Sequence, residues 1–422
     1  MKDSKIEWLG DIPEHWEIKK IKHLFRLVCG ATPSPDNDNW DGDIYWITPA
    51  DYQTKDKYVS TGKRNITMKG FLSCSADFIP VGSIIFSKRA PIGKVAINKE
   101  ILCTNQGCIS CISKTDTVND YFYYVMSVGT DYFELSGNGA TFKEISVDNF
   151  SNCLLPFPPV EEQEEIVKFL DKKCTDIDKI ISIKNQQIDL LKEYKKALIT
   201  ETVTKGLNKD VEMKESGIDY IGKMPAHWKI EKVKNVVSMI GSGTTPSGEK
   251  YYENGNICWL QSGDIYGKNE ITESSVLINK TALNENSTLK LYNHDFIIMA
   301  MYGSIGSVSI SKTDACVNQA CCCIKPDNNN NIKFMYYWLL ICKTDFLRIS
   351  KCNTQPNISQ SKIKNQCYIQ PPLEEQEEIV KFLDKKCNDI DKIISLKNQQ
   401  IEIIKEYKKA IIYEYVTGKR KV

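Results

Sequence analysis

Glu161-Glu-Gln-Glu-Glu-Ile-Val-Lys-Phe-Leu-Asp-Lys-Lys-Cys174 recurs without change as Glu374 to Cys387, and this duplication decides how the chain is organised. Further along, Lys184-Asn-Gln-Gln-Ile188 returns as Lys397 to Ile401, and Lys192-Glu-Tyr-Lys-Lys-Ala197 as Lys405 to Ala410. Toward the N-terminus, Met1 to Gly10 aligns with Met213 to Gly222, and Pro13-Glu-His-Trp16 with Pro225-Ala-His-Trp228. Between these constant stretches the copies diverge but keep register. Gly30-Ala-Thr-Pro33 faces Gly243-Thr-Thr-Pro246, Trp46 and Asp51 face Trp259 and Asp264, and Ile92-Gly93 faces Ile305-Gly306. Cys103-Thr-Asn-Gln-Gly-Cys108 faces Cys316-Val-Asn-Gln-Ala-Cys321, and Ile145 faces Ile358. A constant segment beside a divergent one suggests two copies doing one job on two different targets.

The constant segment reads as a helix from Glu161 to about Thr202, repeated from Glu374 to about Tyr415. Leu170, Cys174, Ile177, Ile181, Ile188, Leu191 and Leu198 form a heptad-like seam that Lys184 and Lys195 interrupt. Pro158-Pro159 precedes it, and Glu161, Glu162, Glu164 and Glu165 suit the positive end of the helix dipole. About 40 residues at 1.5 Å each span roughly 60 Å. Such a seam needs a partner to bury it, and the second copy carries the matching one. The expected solution is an antiparallel pair of helices related by a pseudo-twofold axis.

The divergent heads have short β-rich runs, such as Gly82-Ser-Ile-Ile-Phe-Ser87 and Asp295-Phe-Ile-Ile-Met-Ala300, between Gly, Asn, Asp and Pro clusters. Tyr121 to Met126 and Phe334 to Leu339 read as short buried helices, with strands as the alternative. The fold class is therefore α+β: a tandem repeat of two globular β-rich heads, each followed by a long helix, the helices pairing as an antiparallel coiled coil. The boundaries read from the sequence are a lead-in at 1–16, a first head at 17–157, a long helix at 158–203, a linker with the repeated lead-in at 204–228, a second head at 229–370 and a second long helix at 371–422. Val416-Thr-Gly resembles the stretch that leads into copy two, so the end of the chain is expected near the start of copy one.

Bulk composition is that of a globular protein, 41% hydrophobic and 26% charged, which argues against wholesale disorder. The opening Met1-Lys-Asp-Ser-Lys-Ile-Glu has no apolar core of a secretory signal, and no apolar run approaches the ~18 residues of a membrane span. A cytoplasmic protein with no membrane partner is expected, its 16 cysteines reduced and mostly buried. A net charge of +1 gives no basic footprint of the kind nucleic-acid binders usually carry.

Taken together, the Pro-x-His-Trp motifs, Gly-x-Thr-Pro openings, Ile-Gly loops, Asn-Gln pairs and Pro-Pro-x-Glu-Glu-Gln segments resemble the specificity subunits of type I restriction–modification systems. The match spans the whole chain; no single motif is specific, but this order repeated at fixed spacing is. The resemblance implies that each head is a target-recognition domain reading half of a bipartite double-stranded DNA site. It implies that the helices set the gap and dock two methyltransferase (modification) subunits, with restriction and translocase subunits as further partners. No cofactor is expected in this chain; S-adenosylmethionine belongs to the modification subunits. Those subunits, closing around the DNA, would supply the phosphate neutralisation that this chain's small charge does not. A roughly 60 Å rod covers about 17 or 18 base pairs, enough for half-sites about one helical turn apart.

Within that reading, Ser87-Lys-Arg-Ala-Pro-Ile-Gly-Lys94 is the leading contact loop: Arg89 suits bidentate contact to guanine, Lys88 and Lys94 suit phosphates. Copy two has Ala300-Met-Tyr-Gly-Ser-Ile-Gly306, placing Tyr302 opposite Arg89 with Ser304 beside it. The plain alternative is a surface hairpin. Asn105-Gln106 and Asn318-Gln319 offer adenine-reading amides, but their persistence in both heads favours a structural or phosphate role. Thr141 and Lys143 in one polar loop, and Gln355 and Asn357 in its counterpart, are contact or turn residues alike. Thr32, Ser34, Thr245 and Ser247 follow a glycine turn and suit either phosphate bonding or the turn itself. Cys108 and Cys111 have Cys-x-x-Cys spacing, yet Ile324 stands at the matching position of copy two, so core packing is preferred to zinc. His15 and His227 are likewise expected to pack beside Trp16 and Trp228.

Motifs for catalysis are missing. Gly243-Thr-Thr-Pro-Ser-Gly-Glu249 lacks the P-loop lysine, and no amino-methyltransferase motif, Ser/His/Asp set or His-Glu-x-x-His is found. The chain is expected to be a non-catalytic DNA-recognition subunit. The rival readings are a coiled-coil scaffold without a DNA role, and a fused DNA-modifying enzyme with a cryptic site in one head.

Overall fold

The computed structural model describes residues 1–52, 56–89, 91–114, 117–137, 143–350 and 357–422. The chain divides into two compact units. Unit 1 is Met1–Asn185 with Asn398–Val422, and unit 2 is Gln186–Lys397. Each unit thus takes a head, part of its own long helix and part of the other.

In unit 1 a five-stranded sheet runs in the order Phe25–Cys29, Cys108–Ser113, Ile84–Ser87, Val95–Asn98, Tyr58–Val59. A three-stranded sheet has Trp40–Ile47 between Cys103–Thr104 and Arg64–Ile66. Pairing is antiparallel except for Tyr58–Val59 on Val95–Asn98 and Cys103–Thr104 on Trp40–Ile47. Unit 2 repeats both orders: Val237–Ser242, Cys321–Pro326, Phe296–Ala300, Val308–Ser311 and Glu270–Ile271, then Ile257–Leu260 between Leu277–Ile278 and Ala315–Val317. Ile84 and Phe86 point into one cluster with Phe122, Val125 and Leu170, while Ile85 enters another with Ile47 and Leu102. A strand buried on both faces carries a continuous apolar run instead of alternation.

The segments read as short buried helices are Asn119–Val128 and Ile332–Ile341. The long helices are Val160–Lys205 and Leu373–Val416, a few residues beyond their expected ends. Within unit 1 the two helix segments lie side by side. Phe169 meets Tyr415 with ring centroids 4.3 Å apart, Lys408 Nζ reaches both oxygens of Asp178 at 2.7 Å, and Lys184 Nζ donates to Gln400 Oε1 at 2.7 Å. As the number rises on one segment it falls on the other, so they run antiparallel. Unit 2 has the matching contacts, Lys195 to both oxygens of Asp391 and Lys397 to Gln187, all at 2.7 Å. The lysines that interrupt the seam therefore each face a carboxylate or an amide on the opposite helix, which fits one register and not a shifted one.

The end of the chain packs on the start of unit 1, as the sequence suggests. Lys419 Nζ donates to Leu9 O at 2.7 Å, Tyr413 OH to Trp8 O at 2.8 Å, and Tyr121 OH to Val416 O at 2.9 Å. No helix among the described residues is long and apolar enough to cross a membrane. The cysteines that hinted at zinc are dispersed: Cys103, Cys108 and Cys111 belong to three separate apolar clusters. Burial pushes the Cys103 and Cys108 thiols up to about 12, opposite to what a metal thiolate needs.

Candidate nucleic-acid interface

Backbone hydrogen bonds draw the loops of unit 1 to one end of the head. Ala31 N donates to Thr104 O and Asn105 N to Ile47 O, both at 2.9 Å, which joins the Gly-x-Thr-Pro opening to the Asn-Gln turn. Lys88 N donates to Gly107 O at 2.9 Å, and Ile145 N to Lys88 O at 3.0 Å. The hairpin loop after Ile84–Ser87 is thus held between the Asn-Gln turn and the segment around Lys143. Unit 2 uses the same links: Asn318 N to Leu260 O, Met301 N to Ala320 O, and Ile358 N to Met301 O, at 3.1, 2.7 and 3.0 Å. Candidates scattered over more than a hundred positions of sequence in each copy so become neighbours.

The invariant residues of these loops serve the scaffold. A Cβ on Gly30 would lie 2.1 Å from Asn105 O, and one on Gly243 would lie 1.7 Å from Val317 O, so only glycine permits this approach. Gly93 and Gly306 adopt φ of +90° and +72°, the left-handed region glycine favours. Trp46 Nε1 donates to Ala31 O at 2.9 Å and Trp259 Nε1 to Thr244 O at 3.1 Å. Asp51 accepts from the Thr48 and Lys63 backbones, and Asp264 from those of Gln261 and Ser275.

Among the candidates, Asn105 Oδ1 accepts from Gly107 N at 3.0 Å and Asn318 Oδ1 from Ala320 N at 3.1 Å, the turn role their persistence favours. Thr32 donates to Gln106 Oε1, and Thr245 to Gln319 Oε1 at 2.5 Å. All four of these last residues are exposed, as are Ser34 and Ser247, and Ser34 Oγ accepts from Asn39 Nδ2 at 2.8 Å. Lys94 Nζ donates to Pro49 O at 3.2 Å. Lys88 Nζ sits 2.9 Å from Glu144 Oε1, and Arg89 Nε 3.1 Å from Glu144 Oε2. The Lys88 ammonium, with Arg89 as second donor, holds the Glu144 carboxyl below the usual range despite its partial burial. In unit 2, Tyr302 and Asn357 form the bridge that Arg89 and Glu144 form in unit 1. Tyr302 and Asn357 are exposed, Ser304 is half-buried, and Lys143 is exposed at the edge of its loop. Thr141 and Gln355 lie outside the described residues.

Several residues that do structural work escape the motif reading. Glu162 Oε2 accepts from Trp16 Nε1 at 2.8 Å while its Oε1 meets His15 Nε2 at 2.6 Å; Glu375 does the same with Trp228 at 2.9 Å and His227 at 2.7 Å. The tryptophans are buried, but both histidines stay half in solvent, which corrects the packing role assigned to them. Buried Gln163 accepts from Val118 N and donates to Pro158 O, and Gln376 repeats this with Asn331 N and Pro371 O. The Pro-Pro-x-Glu-Glu-Gln motif is thus the joint between head and helix. Beside it, Asp171 takes Tyr124 OH at 2.6 Å and Lys57, and Asp384 takes Tyr337 OH at 2.8 Å and Lys333 at 2.6 Å. Burial alone would lower the Lys57 pKa, but Asp120 and Asp171 outweigh it and raise it. The lysine comes from a loop in one head and from a helix in the other, so no motif marks it.

The chain matches the family model described as type I restriction modification DNA specificity domain twice, over residues 13–193 and 225–405. It is 30% identical to the type I restriction enzyme MjaIX specificity subunit of Methanocaldococcus jannaschii, over 98% of this chain and 95% of that one. It is 23% identical to the EcoBI specificity subunit of Escherichia coli, over 81% and 75%. A solved structure described as the basis of complex assembly and conformational transition of the type I R-M system superposes with a TM-score of 0.75 at 15% identity, over 96% of this chain and 98% of that one. The HsdS subunit of Thermoanaerobacter tengcongensis superposes with a TM-score of 0.56 at 15% identity, over the whole of both chains. With two family domains covering most of its length, each a β-rich head jointed to a long helix, this chain belongs to the type I restriction–modification DNA specificity family.

Proposed function

We propose that this chain reads a bipartite double-stranded DNA target with two heads, 17–157 and 229–370, and itself catalyses nothing. The observation that carries the reading is the contrast between a shared scaffold and unlike presented side chains. Strand order, glycine approaches and loop-joining hydrogen bonds agree between heads, while Arg89 in one is Tyr302 in the other. A kept frame with changed contact chemistry is what two half-sites of different sequence require.

The segments 158–203 and 371–422 then act as paired spacers that set the gap and dock two modification subunits, which bring S-adenosylmethionine. An exposed apolar stripe supports the docking role. Ile180, Ile183, Ile403 and Tyr407 in unit 1, and Leu190, Tyr194, Ile393 and Leu396 in unit 2, are 43–64% exposed. They fall at repeat-equivalent positions, each one residue before a position of the seam, and so form a second face that a partner helix would cover. Two equivalent stripes fit two copies of one partner. Those subunits also supply cations around the phosphates, consistent with a net charge of +1 here and with a protein that works in the cytoplasm. Restriction and translocase subunits would join the same assembly.

Exchanging residues 229–370 for another head, and mapping methylated sites in cells that carry the partner subunits, tests the reading. One half of the motif should change and the other should stay. A change in both halves, or in neither, would defeat it.

A further inference from the structure

We infer that Arg89 reads a guanine in the half-site of the first head, and that Glu144 is the residue that holds its guanidinium in the reading pose. This assignment rests on the DNA-reading function proposed above. Arg89 is about half exposed and anchored twice: its backbone bridges to Glu144, and its Nε donates to Glu144 Oε2 at 3.1 Å. Among the described residues its two Nη groups meet no acceptor, so the fork that matches guanine O6 and N7 remains available. An arginine tethered at Nε loses less rotamer freedom on contact than a free one, which favours a fixed base partner over a loose phosphate.

Lys88 has a different part. Its side chain is only 14% exposed and its Nζ lies 2.9 Å from Glu144 Oε1, so it compensates the carboxylate instead of facing a phosphate. The trio keeps one net positive charge, which a site facing DNA needs.

The second head isolates the purpose of the trio. Met301, buried among apolar side chains, stands at the place of Lys88, Tyr302 at that of Arg89, and Asn357 at that of Glu144. The backbone frame survives the exchange. Tyr302 still bridges Asn357, and the Ile358 N to Met301 O bond of 3.0 Å repeats the Ile145 N to Lys88 O bond of 3.0 Å. Three charged residues are replaced together by three neutral ones on an unchanged frame, so the frame does not need the charges. They accompany what the loop presents. By the same placement Tyr302 and Asn357 are the presenting and supporting residues of the second head.

The test uses the full chain assembled with its modification subunits, read out as the methylated motif of whole genomes. With Arg89→Ala, one G·C pair in the first head's half-site should become degenerate, discrimination there falling roughly 5- to 150-fold, while the other half-site is unchanged. Arg89→Lys should behave like Arg89→Ala, since an ammonium lacks the fork. Glu144→Gln should relax the same base pair in part. All three variants should stay folded, Glu144→Gln losing only the small stabilisation of a largely solvent-exposed ion cluster. A uniform loss of methylation with the motif intact would assign Arg89 to phosphate and overturn the proposal. Degeneracy at an A·T pair or in the other half-site, or an unchanged motif, would overturn it too. Should a variant methylate nothing, binding of the assembled complex to duplexes varied at each pair of that half-site decides: lost preference at one G·C pair supports the assignment, retained preference defeats it. If the wild-type complex marks no bipartite site, the DNA-reading function itself has failed, and that control separates the two failures.

Discussion

Replacing Glu162 by alanine should loosen the joint between the first head and its helix by a measurable amount. Trp16 is 2% exposed, and its indole N–H donates to Glu162 Oε2 at 2.8 Å. Without that acceptor the buried N–H is unpaired, at a cost of about 1–3 kcal/mol. The second contact, His15 to Glu162 at 2.6 Å, is open to solvent and contributes at most about 1 kcal/mol. The sum, roughly 1–4 kcal/mol, corresponds to a melting shift of about 2–16 °C for a unit of some two hundred residues. Calorimetry of Glu162→Ala, Glu162→Gln and His15→Ala would apportion it. Glutamine keeps an acceptor for the indole and should cost less than half as much, and His15→Ala should cost little. Glu375 makes the same two contacts to Trp228 and His227, so Glu375→Ala is an internal replicate acting on the second unit. A Glu162→Ala protein that melts within about 1 °C of the wild type would refute the joint as a source of stability. Equal losses for Gln and Ala would refute the hydrogen-bond account.

Leu170→Ala and Leu383→Ala, each at a fully buried seam position, should each cost about 2–5 kcal/mol in chemical denaturation, and by similar amounts. Because the folded Glu144 pKa lies below its ordinary 4.5, the ion cluster's stabilisation is complete above that pH and is lost as pH falls through the folded value; Glu144→Gln should remove this acid-dependent part, and a pH–stability profile unchanged by the substitution would contradict it. Exposed Cys29 should react with a thiol reagent in the native protein, whereas Cys108, buried with its thiol pushed up to about 12, should react only on unfolding. Ile183→Glu with Ile403→Glu should leave the melting curve unchanged and abolish co-purification of modification subunits; retained co-purification would remove the apolar stripe from the docking surface.

Legibility in the sequence followed the range of the interactions. The long helices were readable because their periodicity is local and doubled, and the seam lysines only looked like flaws because their partners, Gln400 and Asp391, lie some two hundred positions away. The buried helices at Tyr121 and Phe334 and the strands at Ile84 and Phe296 were likewise visible as apolar runs. Glu144 was not, since nothing near it in sequence says that it faces Lys88 and Arg89; the one available signal was that copy two loses all three charges together. His15 and His227 misled because adjacency to a buried tryptophan suggests packing, when the imidazole of each turns outward to a glutamate on the helix.

By itself the sequence determined the duplication, the division into constant helix and variable head, and hence the family. Those are properties of residue identity at fixed offsets, and comparing the chain with itself reveals them. Only the tertiary structure decided that the Gly-x-Thr-Pro opening, the Asn-Gln turn, Lys88 and Arg89, and the segment of Glu144 and Ile145 come together in a head, that Lys88 and Arg89 both face the Glu144 carboxylate, and that each unit draws on both long helices. These depend on hydrogen bonds and packing between residues far apart in the chain. Folding makes such neighbours by burying apolar surface and pairing polar groups wherever the topology brings them together, and no local pattern encodes that outcome.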